Sequence, residues 1–475
     1  MILPYLILAG LISASLFFNR NKMVTYVLLC AFVVLQFTIT TVECSHMGIS
    51  ESGYFVADSL SILLLLILSV LCVPAFIHSI IFLEGRNNSA EESNIYFAAM
   101  VVLMTSLTAA YLSSHIVITW IFVELTTLSV SALVFHKRHA KALEATWKYI
   151  FVCSISVTLV FIGILFLSMA MHAKGVTDLS YDTLITQAPF LDVFWLKLAF
   201  IFIFTGFTSK LGLVPMYAAG IDAKDNAPSP AGALISSVLV NVGFVGIFHI
   251  YEIVSHTAVV YWANKIMLIS GILSLFFATV YMLHVKNIKR MLAYSGVEHM
   301  SLVVIGLASG GIGPYAAVLH IVLHSFVKPA LFFQIGQVHR VYQSKSIYDI
   351  GNYFKYNVSG AMVLLFAFFT VTGMPPSGMF TSEFLIFRAL FEDGNYGTLI
   401  LVLFLLTLII WALGKNIFKM LFLKPVHFKE INIVRINPLE SVSQFILLAL
   451  VIYLGIAPPQ VFVDLLQGAL INIAH

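Results

Sequence analysis

Charge is what this sequence has least of. Its 475 residues include 25 Lys or Arg and 22 Asp or Glu, 10% charged in all, against 60% hydrophobic, and the mean hydropathy is +1.00. No water-soluble domain of this size could bury so much apolar surface, so the chain reads as a polytopic membrane protein. The net charge of +3 is spread over loops without a basic run, which excludes a nucleic-acid-binding face. Cysteine is also scarce. Cys30, Cys44, Cys72 and Cys153 form no CxxC pair and no metal-ligand spacing, which excludes an iron–sulfur cluster and a disulfide framework, and no cofactor or metal is expected. Neither a GxxxxGKS/T nor a GxGxxG stretch occurs, which argues against a nucleotide-driven pump. The N-terminal MILPYLILAGLISASLFF lacks a basic leader and reads as a first membrane helix rather than a cleaved signal.

Apolar length is abundant instead. Runs of about 20 apolar residues, enough to cross a bilayer, begin near residues 2, 24, 56, 95, 115, 148, 193, 229, 259, 291, 313, 358, 397 and 439. They predict an all-α fold of roughly fourteen transmembrane helices joined by short loops. The expected organisation is helices 1–3 over residues 1–94, a first repeat over 95–253, a second over 254–423, and a last helix over 424–475. Alternate loops hold nearly all the loop cations: Arg20, Lys22, Arg86, Lys137, Arg138, Lys141, Lys224, Lys286, Lys289, Arg290, Arg340, Lys345, Lys355, Lys424, Lys429 and Arg435. The opposite loops hold little beyond Lys174 and Lys265. This asymmetry predicts cytoplasmic odd-numbered loops and both termini outside. The basic, amphipathic stretch His136 to Ile150 is expected to lie along the membrane surface.

Two spans carry helix breakers. The seventh reads GFTSKLGLVPMYAAGIDAKDNAPSPAG and the twelfth TGMPPSGMFTSEFLIFRAL. Gly and Pro at membrane depth free backbone groups that need a cavity, water or a polar side chain. Paired interruptions in two halves of a chain therefore point to an inverted-repeat transporter with its pathway at the breaks.

Charges inside the spans mark that pathway. YAAVLHIVLHSFVKPALFFQIG, Tyr315 to Gly336, puts His320, His324 and Lys328 at i, i+4 and i+8, on neighbouring turns of one helix face. An ionisable group at mid-membrane depth costs at least about 2.5–3.5 kcal/mol, so this face must look into protein or water. Glu124 is the only acid of its span, and Lys210 lies deep in the seventh. The two are expected to pair, and because burial disfavours charge, a change of protonation on one releases or captures a proton on the other. Glu383 follows the second break. Glu298 and His299 extend the polar axis, and Lys197 and Arg388 are weaker candidates that can reach an interface by snorkelling. Histidine suits proton relay because it titrates near neutral pH.

Several blocks in fixed order resemble one family: VELTTLSVSALVF, WLKLAFIFIFTGFTSKLGLVP, APSPAGALISSVLVN, NIKRMLAYSGVEHMS, the HxxxHxxxK stretch and GMPPSGMFTSEFLIF. They are similar to the antiporter-like proton-translocating membrane subunits of complex I, multisubunit cation/proton antiporters and energy-converting hydrogenases, the hydrogenase-4 branch in particular. The resemblance covers roughly residues 55–400. It implies a fourteen-helix core with two inverted repeats and broken seventh and twelfth helices. It also implies that Glu124 and Lys210 are the first-half pair, His320, His324 and Lys328 the central relay, and Glu383 the terminal charge. Two departures stand out. MYAAGIDAKDN after the seventh-span proline has no histidine, and Ser236 and Ser237 occupy the eighth span where many relatives have Lys or His. A link between the halves would then run through water held by Ser236, Ser237 and Asn241. The long lateral C-terminal helix of the largest complex I subunits is expected to be absent.

The implied function is H⁺ movement as one subunit of a larger complex in a bacterial or archaeal cytoplasmic membrane. Its partners would be other membrane subunits and a peripheral hydrogenase or dehydrogenase module. The alternatives are proton flux for inorganic-carbon uptake with a carbonic-anhydrase-like zinc protein, cation/proton exchange, and a non-conducting scaffold.

Overall fold

The computed structural model describes residues 1–85, 89–425 and 434–474. Arg86 and Lys429, two of the loop cations above, lie outside the described residues. Helices dominate, in chain order α1 (Ile2–Phe18), α2 (Lys22–Ser45), α3 (Ser59–Glu84), α4 (Ala90–Leu112), α5 (Ile116–Phe135), α6 (Ala140–His172), α7 (Tyr181–Gln187), α8 (Val193–Leu211), α9 (Ala218–Asn226), α10 (Ser229–Ile235), α11 (Val238–Ser255), α12 (Val260–His284), α13 (Ile288–Ala308), α14 (Gly313–Tyr342), α15 (Tyr353–Tyr356), α16 (Val358–Val371), α17 (Gly378–Glu392), α18 (Tyr396–Phe422), α19 (Val442–Ile456) and α20 (Gln460–Gly468). A two-residue antiparallel pairing, Ser50–Glu51 with Phe55–Val56, ties the α2–α3 connection. The protein is an all-α polytopic membrane protein. Among the described residues twelve helices are long and apolar enough to span a bilayer, and the spans expected near residues 2 and 358 correspond to the shorter apolar helices Ile2–Phe18 and Val358–Val371.

Polar residues start these helices. Asn21, Asp58, Ser89, His115, His139, Asp192, Asn287, Asn357 and Ser377 each accept from a backbone N–H of the following first turn. A cap of the Ser, Asp or Asn type contributes about 1 kcal/mol. His139 caps a 33-residue helix that continues without interruption to His172. The stretch read as a surface helix is therefore the first turns of a membrane span, because nothing between residues 140 and 172 breaks the backbone ladder.

The chain divides into two compact units, one of Met1–Ala227, Val238–Ile266 and Val463–His475, the other of Pro228–Ser237 and Met267–Phe462. In the first, α6 and α8 approach closely through glycine: a Cβ on Gly163 would meet Ile203, and one on Gly206 would meet Val160. Small residues are what bring membrane helices into such contact. Connections after even-numbered spans are bonded to one another, Ser114 N to Tyr54 O at 2.9 Å and Tyr181 N to Ser114 O at 2.9 Å, as alternating crossings require. In the second unit α13 and α14 are wholly enclosed by protein. There Ile288 N bonds Lys345 O at 3.0 Å, joining the connections after the ninth and eleventh spans.

Both expected interruptions are present. α8 ends at Gly212 in the left-handed region (φ 89°), and the chain resumes as α9 after a cis Val214–Pro215 bond. α16 ends at Val371, Gly373 takes φ 59°, and α17 starts after a cis Pro375–Pro376 bond. One placement differs from the sequence reading. Lys224, counted as a loop cation, sits on α9 with 4% exposure, because the chain after the first break turns back into helix rather than leaving the protein. Lys289, at the second residue of α13, is likewise buried.

Candidate functional site

In the first unit Lys210 is the last-turn residue of α8 and is buried. Gly243 of α11 fixes the approach, since a Cβ there would collide with the backbone of Lys210 and Leu211. The ammonium donates to Thr127 Oγ1 at 2.7 Å, to Thr126 Oγ1 at 3.4 Å and to Tyr149 OH at 3.4 Å, with the Tyr149 ring face 5.5 Å away. Among the described residues it makes no ion pair with Glu124 within 4.0 Å. Glu124 is near enough to act on it electrostatically, one turn before Thr127 on the same face of α5. Its Oε2 is buried and meets no hydrogen-bond donor among the described residues. The two expected partners are thus brought into one place but not into contact. Cys153 of α6 is a further neighbour of Lys210 that the sequence did not single out.

The second unit holds a longer array. Lys328 of α14 donates to Ser295 Oγ of α13 at 2.9 Å, and Ser295 donates to Glu298 Oε2 at 3.4 Å. Glu298 Oε2 lies 3.8 Å from His299 Nε2. His299 Nδ1 shares a hydrogen bond with His320 Nε2 at 3.2 Å, and His320 Nδ1 shares one with Ser382 Oγ of α17 at 2.9 Å. The His324 ring stands edge-on to His299, centroids 5.4 Å apart. Glu383 follows Ser382, with Oε1 buried and unbonded among the described residues. Polar contacts no longer than 3.8 Å therefore run from Lys328 to Ser382, across three helices and at near-zero exposure. A cavity of about 200 Å³ lies beside Glu298 and Glu383, bounded by Thr372, Gly373, Phe380 and Phe384 among others.

His299, His320 and Glu383 offer donor atoms within 4.8 Å of one another, a grouping that a divalent metal or a shared proton could use. Both nitrogens of His320 are already engaged with His299 and Ser382, which favours the proton.

The sequence placed His320, His324, Lys328 and Glu383 in this axis and Glu298 and His299 at its edge; the structure puts the last two at its middle. Ser295 and Ser382 were missed, because serine in a membrane helix normally bonds its own preceding turn and gives no sequence signal. Ser236 Oγ does so to Gly232 O at 2.7 Å and Ser237 Oγ to Ala233 O at 2.7 Å, while Asn241 is buried beside Tyr111. Lys197 lies over the Trp262 ring at 5.4 Å, and Arg388 is exposed and bonded to Glu392 at 2.8 Å. A buried pair, His249 and Glu252, was also missed, although its i,i+3 spacing inside the eighth span was readable.

Residues 113–410 match the family described as NADH:quinone oxidoreductase/Mrp antiporter, TM. The chain belongs to this family. It is 27% identical over 376 residues to the hydrogenase-4 component F homolog of Methylacidiphilum infernorum, covering 78% of each chain. It is 25% identical to NADH-quinone oxidoreductase subunit N of Francisella tularensis subsp. holarctica, covering 96% of this chain and 95% of that one. The fold of this antiporter-like subunit superposes on a chain of the Mrp complex from Dietzia sp. DQ12-45-1b with a TM-score of 0.84 at 15% identity, covering 99% and 96% of the two chains.

The break carrying Glu383 also sets a test. Gly373 needs its left-handed backbone, and a Cβ there would run into the Glu383 carboxylate, whereas Gly48 shares the backbone (φ 79°) but faces open space. Gly373→Ala is expected to destabilise the protein by about 1–3 kcal/mol, through backbone strain and a shift of the Glu383 carboxyl group together. Gly48→Ala should cost about 1–2 kcal/mol from strain alone. Thermal unfolding in detergent reads the difference, and equal losses would mean that the Glu383 contact is not tight.

Proposed function

We propose that this subunit translocates protons within a larger redox-driven membrane complex, using the Lys328–Glu298–His299–His320–Glu383 array as the conducting element of the second unit and Lys210 with Glu124 as that of the first. The unbroken series of buried titratable and hydroxyl groups in the second unit carries this reading. Buried polar groups in hydrocarbon are costly, and a row of them within 4 Å of one another is an arrangement that moves a proton stepwise. In the first unit a shift of Lys210 from the Thr127 hydroxyl to the Glu124 carboxylate would alter both groups' hold on a proton, so the separated pair supports a switching role.

The energy would come from partners. Family relatives bear hydrogenase-4 and NADH-quinone oxidoreductase names, and the matched Mrp structure is of a complex, which supports neighbouring membrane subunits together with a peripheral hydrogenase- or dehydrogenase-type module. The loop cations support a cytoplasmic membrane location with both termini outside.

Proton flux in proteoliposomes containing the complex tests the conductor. Lys328→Ala is expected to lower flux roughly a hundredfold or more with the complex intact. Undiminished flux would make this subunit a scaffold. Glu124→Gln and Lys210→Ala should each impair flux, and the double variant should be no worse than the single ones if the two act as a unit.

Orientation is tested separately. A single cysteine placed at Lys137 in a cysteine-free background should react with a membrane-impermeant maleimide only from the cytoplasmic face; labelling from outside would invert the assignment.

A further inference from the structure

We infer that His249 and Glu252, at the end of α11, form a second proton-binding station through which the first unit exchanges protons with the side of the membrane opposite the basic loops. The inference rests on the proton-translocating reading above.

The two side chains bond directly, His249 Nδ1 to Glu252 Oε2 at 2.7 Å, and are 7% and 4% exposed. Two further acids act on them electrostatically, Asp58 before α3 and Asp182 on α7. Asp182 is exposed and Asp58 half-buried, so the cluster runs from the surface inward. An ionised His249–Glu252 pair is neutral by itself. Asp58 and Asp182 add two further carboxyl groups near it, so a proton arriving from the surface meets acceptors on the way in. The station takes up a proton from that side on the His249–Glu252 pair and passes it on.

The way inward is also built. Phe244 and Phe248 of α11 and Phe207 of α8 are buried apolar neighbours in sequence of the pair and of Lys210. The His249 ring stacks on Tyr181, centroids 4.1 Å apart, and Tyr181 OH shares a 2.9 Å hydrogen bond with Thr119 Oγ1 of α5. Glu124 is five residues further along that helix, about 7–8 Å by helical rise. The groups facing the pair from neighbouring elements are thus Asp58 from α3, Thr119 from α5, and Tyr181 and Asp182 from α7. The C-terminal residues close the surface around the station: a Cβ on Gly468 would meet Ser59, Ala474 N bonds Ser255 Oγ at 3.2 Å, and His256 Nε2 bonds Asn472 O at 2.8 Å.

The test is proton flux through proteoliposomes holding the complex that contains this chain, measured against the pH of the compartment facing the α11 end. His249→Gln combined with Glu252→Gln keeps a hydrogen-bonding pair but removes titration. It is expected to lower flux roughly tenfold or more and to flatten the dependence on that pH. Asp182→Asn, exposed and outside the core, should assemble as wild type and move the profile to lower pH; it decides the matter even where the double variant fails to assemble. Unchanged flux and profile in these variants, with flux abolished in Lys328→Ala, overturns the station and leaves the proposed function standing. Full flux in Lys328→Ala as well removes the proposed function, and the station with it.

Discussion

Keeping the Lys328 ammonium inside a membrane protein is the constraint on which the second unit depends. A cation at that depth is tolerated only where neighbours replace its lost water. The Ser295 hydroxyl and the Leu292 carbonyl do this directly, and the Glu298 carboxyl group stands one contact further out. That requirement explains why α13 and α14 are enclosed all round by other helices while α18 and α19 present apolar side chains outward. α14 also carries a proline inside its length, at Pro329, next to Lys328.

The two breaks answer the same problem from the backbone side. Ending a helix at membrane depth leaves carbonyl groups without partners, and both units end theirs at a left-handed glycine followed by a proline and a fresh helical start. In each unit the functional charge sits within a few turns of the glycine, Lys210 just before Gly212 and Glu383 after Gly373. Freed backbone polarity and the buried charge share one pocket of polarity, so each lowers the cost of the other. A break without a charge, or a charge on an unbroken lipid-facing helix, would be worse than either alone.

Much of this was legible because charge in an apolar segment is so improbable that it marks a position by itself. His320, His324, Lys328, Lys210 and Glu383 were found in this way, and the Gly and Pro clusters marked both breaks. What stayed hidden has a common cause. Ser295, Ser382 and Thr127 matter through the contacts of one hydroxyl, and nothing in a serine or threonine letter tells whether it bonds only its own helix, as Ser236 and Ser237 do, or also meets another, as Ser382 does while donating to Met379 O. Lys224 failed for the opposite reason: a cation next to Asp and Asn looks like a loop, and only the turn of α9 back into the protein shows otherwise. The stretch from His136 misled because amphipathic start and apolar continuation look the same whether the helix bends at the membrane surface or runs straight through.

The two lysines have been given different company, and the difference bears on what each can do. Lys328 reaches the Glu298 carboxyl group through one serine, and His299 and His320 follow beyond it in a row. Lys210 is held by hydroxyls, with Glu124 nearby and out of contact. A hydrogen bond from a charged donor contributes about 1.5–3 kcal/mol, comparable to what a partly solvated carboxylate would offer instead. Lys210 therefore has hydroxyl partners in hand and a carboxyl group nearby, and the proposed switch is a move between them. The second unit thus strings its buried polar groups in a row, whereas the first sets its lysine on hydroxyls with a carboxyl group nearby.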